Sequence, residues 1–229
     1  MKLNLFDSLF TYCPRPDRNP LEDYFTELIG FLFSFDEGLT SEWINEIWEE
    51  VTELKDPSII TQYSLGDYGR ADLALFWTDH GIKKSLLIEH KIGSPIGWRG
   101  RDELGEVKTQ VHNYLDYQKE RGVPKNHKVA ICKVSPLSEY KSSSPFFLGE
   151  FTWGQLYKIL NRFVRARSES DDGSTIKLFL YEQISEFMRR HKMVFENFTV
   201  QDLASIGSYN SFEAKLIQLS GIVVNRFKV

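Results

Sequence analysis

A chain of 229 residues is long enough to bury one sizeable core without disulfides, and its two cysteines, Cys13 and Cys132, match no metal-ligand spacing. Hydrophobic residues at 41%, charged residues at 26%, and 17 Phe beside 10 Tyr argue for a packed globular interior and against disorder. A formal net charge of −4 weighs against a protein that coats nucleic acid by bulk positive charge, but leaves room for a local basic groove.

The start is interrupted by Asn4 and Asp7, so it lacks a signal-peptide pattern. No apolar run approaches the roughly 20 residues needed to cross a bilayer. The expectation is a cytoplasmic protein with no membrane partner. Residues 20–35 follow helical spacing through Leu21, Phe25, Leu28 and Leu32, with Asn19 as cap and Pro20 at the first position. A second helix is expected over 42–53, capped by Thr40 or Ser41 and burying Trp43, Ile47, Val51 and Leu54.

The period then changes. Residues 58–64, 69–77 and 85–92 read as strands, the last two joined by a hairpin of moderate loop length through Gly81. The stretch 93–100 holds three glycines and a proline and reads as a loop. Residues 102–121 are expected to be helical and to stop at Gly122; 127–134 reads as a strand; helices follow over 151–164 and 176–191. The segment 168–174 is an expected exposed loop, and 199–226 reads as further helix. This order predicts an α/β domain over 1–195, a central mixed β-sheet flanked by helices, with a helical C-terminal extension over 196–229. No glycine-rich dinucleotide fingerprint, P-loop or internal repeat is present.

The chemistry concentrates in GRADLALFW (69–77) and LLIEHKIG (86–93). Strand alternation puts Glu89 and Lys91 on one face with Leu87, and His90 on the other. An acid and a base at the end of an apolar strand need pairing or a metal. A hairpin would bring Asp72 beside Glu89, and two close carboxylates repel unless they share a cation. Oxygen ligands suit Mg2+, with Mn2+ as substitute. Such an ion can lower the pKa of a bound water and neutralise charge on a phosphate, while a lysine contacts the same phosphate or the water.

Asp72 followed by Glu89-His90-Lys91 resembles the D…ExK core of the PD-(D/E)XK nuclease superfamily. Three further segments are similar to it. PLEDYFTELIGFL (20–32) looks like the superfamily's first helix, which often adds an acid to the metal site. Gln110 and Tyr114 match the QxxxY element of the RecB-like branch. FTWGQLYKIL (151–160) resembles a late strand-to-helix step of bacterial members. The sequence departs from the pattern at Ala71, where the superfamily's name has proline. The resemblance implies a restriction-endonuclease-like fold and Mg2+-dependent cleavage of DNA, in restriction, repair or anti-phage defence. It also implies Asp72, Glu89 and the backbone carbonyl of His90 as metal ligands, with Lys91 catalytic.

Either Glu22 or Glu27 could be the helical acid. Five residues apart, they point about 140° away from each other. Glu27 is the expected ligand, because Glu22 in the first turn is already explained by the helix dipole. Gln110 and Tyr114, four apart, share a helix face and are expected to line the cleft as partly exposed polar contacts. Trp98, Arg99 and Arg101 put an aromatic between bases, a pattern that stacks on a nucleobase and holds phosphate. DNA is the expected partner, acted on by a homodimer or by one subunit of a defence or repair complex. An RNA-cleaving nuclease and an inactive relative that binds nucleic acid or protein are the alternatives.

Overall fold

A computed structural model describes residues 5–10, 20–92, 98–101, 107–134, 140–167 and 175–194. The C-terminal extension over 196–229 and the expected loop over 168–174 therefore lie outside the described residues, as do Cys13 and Asn19.

The element order is α1 (Leu5–Phe10), α2 (Pro20–Phe35), α3 (Glu37–Ile47), β1 (Lys55–Ser64), β2 (Arg70–Asp79), β3 (Ile82–Lys91), β4 (Trp98–Arg101), β5 (Val107–Thr109), α4 (Gln110–Arg121), β6 (His127–Lys133), β7 (Phe147–Thr152), α5 (Trp153–Arg167) and α6 (Thr175–Arg190). A five-stranded sheet runs in the order β1-β2-β3-β6-β7. Its first three strands are antiparallel, and β3, β6 and β7 are parallel. The protein is thus α/β with a mixed sheet flanked by helices. No helix among the described residues is long and apolar enough to cross a membrane.

Alternation divides the core between the two sheet faces. Leu73, Leu75, Trp77, Leu86, Ile88 and Cys132 pack against α2, α3, α5 and α6. On the other face Ala74, Leu87, Val129 and Ile131 pack against Val111, Tyr114 and Leu115 of α4. β3 and β6, the strands of the main sheet before and after α4, are parallel, so this helix carries the chain back along β3. At 12 residues it spans roughly 18 Å, while a ten-residue strand spans roughly 33 Å. It therefore covers the Glu89 end of β3 and leaves the hairpin end open. There a cavity of about 480 Å³ lies over Phe76, between Lys83, Arg121 and His127.

Several boundaries differ from the sequence reading. The second helix begins at Glu37, five residues early, because the Asp36 carboxylate accepts from the amides of Gly38 and Leu39. Thr40, read as a cap, sits buried inside that helix with its hydroxyl on the Phe33 and Asp36 carbonyls. The β2–β3 hairpin is tight: Asp79 pairs with Ile82, and His80 and Gly81 both take positive φ, +48° and +80°. That is the signature of a two-residue type I′ turn, not a moderate loop. Residues 98–101 and 107–109 pair as a small antiparallel sheet, so α4 begins at Gln110 instead of 102. Thr152 ends strand β7, and the helix begins at Trp153.

Candidate active site

The β2–β3 register pairs Leu73 with Ile88, and one more step along it sets Asp72 opposite Glu89. Both stand at the end of the sheet that α4 covers. The His90 backbone N–H donates to Asp72 Oδ2 at 2.8 Å, which fastens that carboxylate to the strand bearing its neighbour. Glu89 is fully buried. Its Oε2 receives the Tyr114 hydroxyl at 2.6 Å. Its Oε1 lies 2.7 Å from Lys91 Nζ and has no other partner among the described residues. Lys91 Nζ also donates to Glu22 Oε1 at 2.9 Å, and the Ile92 N–H donates to Glu22 Oε2 at 2.9 Å.

The helical acid at this site is therefore Glu22. Glu27, expected there, is exposed on the α2 surface and accepts from the Thr61 hydroxyl at 2.8 Å. The cause is the face of α2 that is buried. Thr26, one turn after Glu22, is buried and donates to the Glu22 carbonyl at 2.9 Å. That leaves the Thr26 oxygen to accept from His90 Nδ1 at 2.7 Å, so the imidazole carries its proton on Nδ1. The His90 ring meets Trp153 edge-on, 4.6 Å between centroids, away from the acids as the alternation requires. Burial first, then Lys91, pushes the His90 pKa down to about 3, so the ring is neutral.

Tyr114 corrects a second expectation. It is fully buried and makes no partly exposed contact in a cleft. Its hydroxyl lies 2.5 Å from the Arg70 carbonyl as well as 2.6 Å from Glu89, and it accepts from Gln110 Nε2 at 2.7 Å. Gln110 also reaches the Arg70 carbonyl at 3.2 Å. These two residues act on the Glu89 carboxylate and on the backbone that enters β2. Burial first, and then the charges of Glu89 and Asp72, raise the Tyr114 pKa, so the phenol remains a donor. Trp98, Arg99 and Arg101 lie on β4, and their side chains fall outside the described residues.

The electrostatics at this end of the sheet are unbalanced. Burial first, then the facing Glu89, push the Asp72 pKa up to about 8, against the opposing effects of the His90 N–H and Lys91. Burial is also the largest single influence on Lys91, and acts to lower its pKa. Glu89 and Glu22 outweigh it, and the ammonium is held charged. Among the described residues three carboxyl groups thus gather around one ammonium. Like charges opposite one another on neighbouring strands are unfavourable, and a buried carboxylate oxygen with a single partner keeps a lone pair for a ligand. This donor set fits a hard divalent cation such as Mg2+ or Mn2+.

A second group of ligand-type atoms sits at the opposite end of β2. Glu53, Asp79 and His80 bring theirs within 4.8 Å of one another, which Glu22, Asp72 and Glu89 do not, since Lys91 stands among them. Proximity is misleading here. Lys84 Nζ, itself buried, already lies 2.6 Å from Asp79 Oδ2. The other Asp79 oxygen accepts from the Glu53 N–H at 3.0 Å, and the His80 N–H donates to Glu53 at 2.9 Å. Those bonds pin the type I′ turn to the 48–54 segment and give both Asp79 oxygens partners within the fold.

The chain matches no family model, no curated protein and no solved structure.

Proposed function

We propose that the protein is a metal-dependent nuclease that hydrolyses phosphodiester bonds of DNA. The observation that carries this reading is the crowding at the sheet end of three carboxyl groups, Glu22, Asp72 and Glu89, around Lys91, the one ammonium there among the described residues, with Asp72 and Glu89 on adjacent strands. Asp72 and Glu89 would hold the cation, with the His90 carbonyl as a backbone ligand. Glu22 would serve directly or through water. Mg2+ bound there supplies a water of lowered pKa and neutralises charge on the phosphate.

The remaining steps belong to the chain. Tyr114 holds Glu89 in one orientation, so the carboxylate does not reorganise when the ion binds. The His90 N–H does the same for Asp72. Lys91 already bridges the helical acid and the strand acid, so its ammonium is poised to move onto a phosphate oxygen or the attacking water. Losing a charged group that acts mainly in the transition state costs on the order of 10²–10³ in rate. Trp98, Arg99 and Arg101 would contact the nucleic acid beyond the scissile phosphate. Restriction, repair and anti-phage defence are the settings this reading suits, with a second copy or a partner subunit needed to cut both strands.

The test is cleavage of plasmid DNA, single-stranded DNA and RNA, with and without Mg2+, by the wild-type chain, Glu89→Ala and Lys91→Ala. The expected result is Mg2+-dependent DNA cleavage that both variants lose, with Lys91→Ala still binding Mn2+ by calorimetry. Calcium should bind without supporting cleavage, since its looser shell orients the water poorly. Cleavage by Lys91→Ala at the wild-type rate would reduce Lys91 to a structural ion-pair partner. Degradation of RNA alone would reassign the substrate.

A further inference from the structure

Gln62 on β1 carries two local costs that the fold does not explain. Its φ is +53°, in the left-handed region that side-chain-bearing residues avoid. Both polar atoms of its carboxamide, Nε2 and Oε1, are buried without a hydrogen-bond partner. An apolar side chain would avoid the second cost altogether.

The register shows where these costs fall. Thr61 pairs with Leu73 and Tyr63 with Ala71, so Gln62 stands opposite Asp72, which stands opposite Glu89. One row across three strands therefore reads carboxamide, carboxylate, carboxylate. The strand also changes face at this residue. The Thr61 hydroxyl meets Glu27 of α2, whereas the Tyr63 ring packs on Phe76 and its hydroxyl lies 3.4 Å from that of Tyr117 on α4. Two residues apart, these side chains would share a face in a regular strand. The left-handed conformation of Gln62 breaks that alternation without shifting the register. Unfavourable backbone and an unsatisfied amide at one position, beside two acids that need a cation, mark a group that awaits a partner.

We propose that Gln62 is a further residue of the metal site, its Oε1 accepting from a water of the cation held by Asp72 and Glu89. This rests on the cation reading above.

The experiment uses the full chain and manganese alone, with no substrate. Calorimetric Mn2+ affinity and melting temperature are measured for wild type, Gln62→Leu, Gln62→Glu and, as a control, Glu27→Gln. Removing an outer-shell partner typically weakens metal binding about 10- to 100-fold, so Gln62→Leu should bind Mn2+ at least about tenfold more weakly, while melting no lower than wild type. Gln62→Glu adds a carboxylate beside Asp72. It should melt lower than wild type without metal, recover when Mn2+ is added, and bind at least as tightly. Glu27→Gln should change neither quantity. Gln62→Leu affinity within twofold of wild type, or weaker Mn2+ binding by Gln62→Glu, overturns the role of Gln62 and leaves the cation reading standing. A wild-type chain with no saturable Mn2+ binding overturns the cation reading itself.

Discussion

Replacing Tyr114 by Phe deletes one oxygen from a fully buried site. That oxygen lies 2.6 Å from Glu89 Oε2 and accepts from Gln110 Nε2 at 2.7 Å. Gln110 keeps a second acceptor, the Arg70 carbonyl at 3.2 Å, whereas Glu89 Oε2 loses its donor. A hydrogen bond to a buried charged group contributes about 1.5–3 kcal/mol. For a chain of this size about 1 kcal/mol corresponds to roughly 2–4 °C in melting temperature. Tyr114→Phe should therefore melt several degrees lower without metal. Because Glu89 would then be free to rotate, Mn2+ affinity should also fall, by about 10- to 100-fold. Differential scanning calorimetry and Mn2+ titration on the same preparation measure both. A surface contact to substrate would behave differently: unchanged melting, unchanged Mn2+ affinity and a higher KM. That pattern would refute the argument that Tyr114 works through Glu89.

Glu22→Gln should impair Mg2+-dependent cleavage at least tenfold, while Glu27→Gln stays within twofold of wild type; equal effects would show that α2 presents a different face to the site. Asp72 gives a pH dependence in the absence of metal. Its folded pKa of about 8 lies above the ordinary 3.8 of the unfolded chain, so the stability tied to its proton is fully present below about pH 4 and is lost as pH rises through 8, at no more than about 1.4 kcal/mol per unit. Melting curves from pH 5 to 8 should show that decline, and Asp72→Asn should flatten it. Asp79→Asn should lower the melting temperature, because it weakens the buried pair with Lys84, yet leave Mn2+ affinity unchanged. Lost Mn2+ binding in that variant would move the metal site to the turn with Glu53 and His80.

Glu89, Lys91 and Asp72 were legible in the sequence because period-2 alternation is a short-range rule. Once both strands were placed, the side of the sheet followed, and Glu89 does share the Leu87 face and bond Tyr114 of α4. The helical acid was not legible in the same way. Glu22 satisfies the dipole of the first turn, so its sequence position has a sufficient local explanation, and the tertiary one is hidden beneath it. The available signal was Thr26. A threonine amid Phe25, Ile29 and Leu32 marks a buried polar contact, and Glu22 lies one turn before it on that side of α2. The helix start at Glu37 was missed for the opposite reason: Asp36, Thr40 and Ser41 are all residue types that cap helices, and the apolar stripe alone does not say at which of them the helix begins.

Gln62 shows the limit of pattern reading most clearly. Ile59, Ile60 and Thr61 establish a β pattern, and continuing it through Gln62 and Tyr63 gives the correct strand with the wrong side for Tyr63. A left-handed residue is not encoded by glycine or asparagine here, so nothing in the composition announces it. What the register adds is the neighbour. The strain occurs at the residue opposite Asp72, in the row that continues to Glu89. Local consistency is what makes most of a chain foldable, and a residue that breaks it without a structural return is best explained by what it binds. The same reasoning separates the two acidic clusters. At the Asp79 end every bond has a counterpart within the fold, from Lys84 to the Glu53 amide. At the Asp72 end the fold leaves a protonated or repelled acid, an under-used Glu89 oxygen and an unsatisfied amide within one row of the sheet.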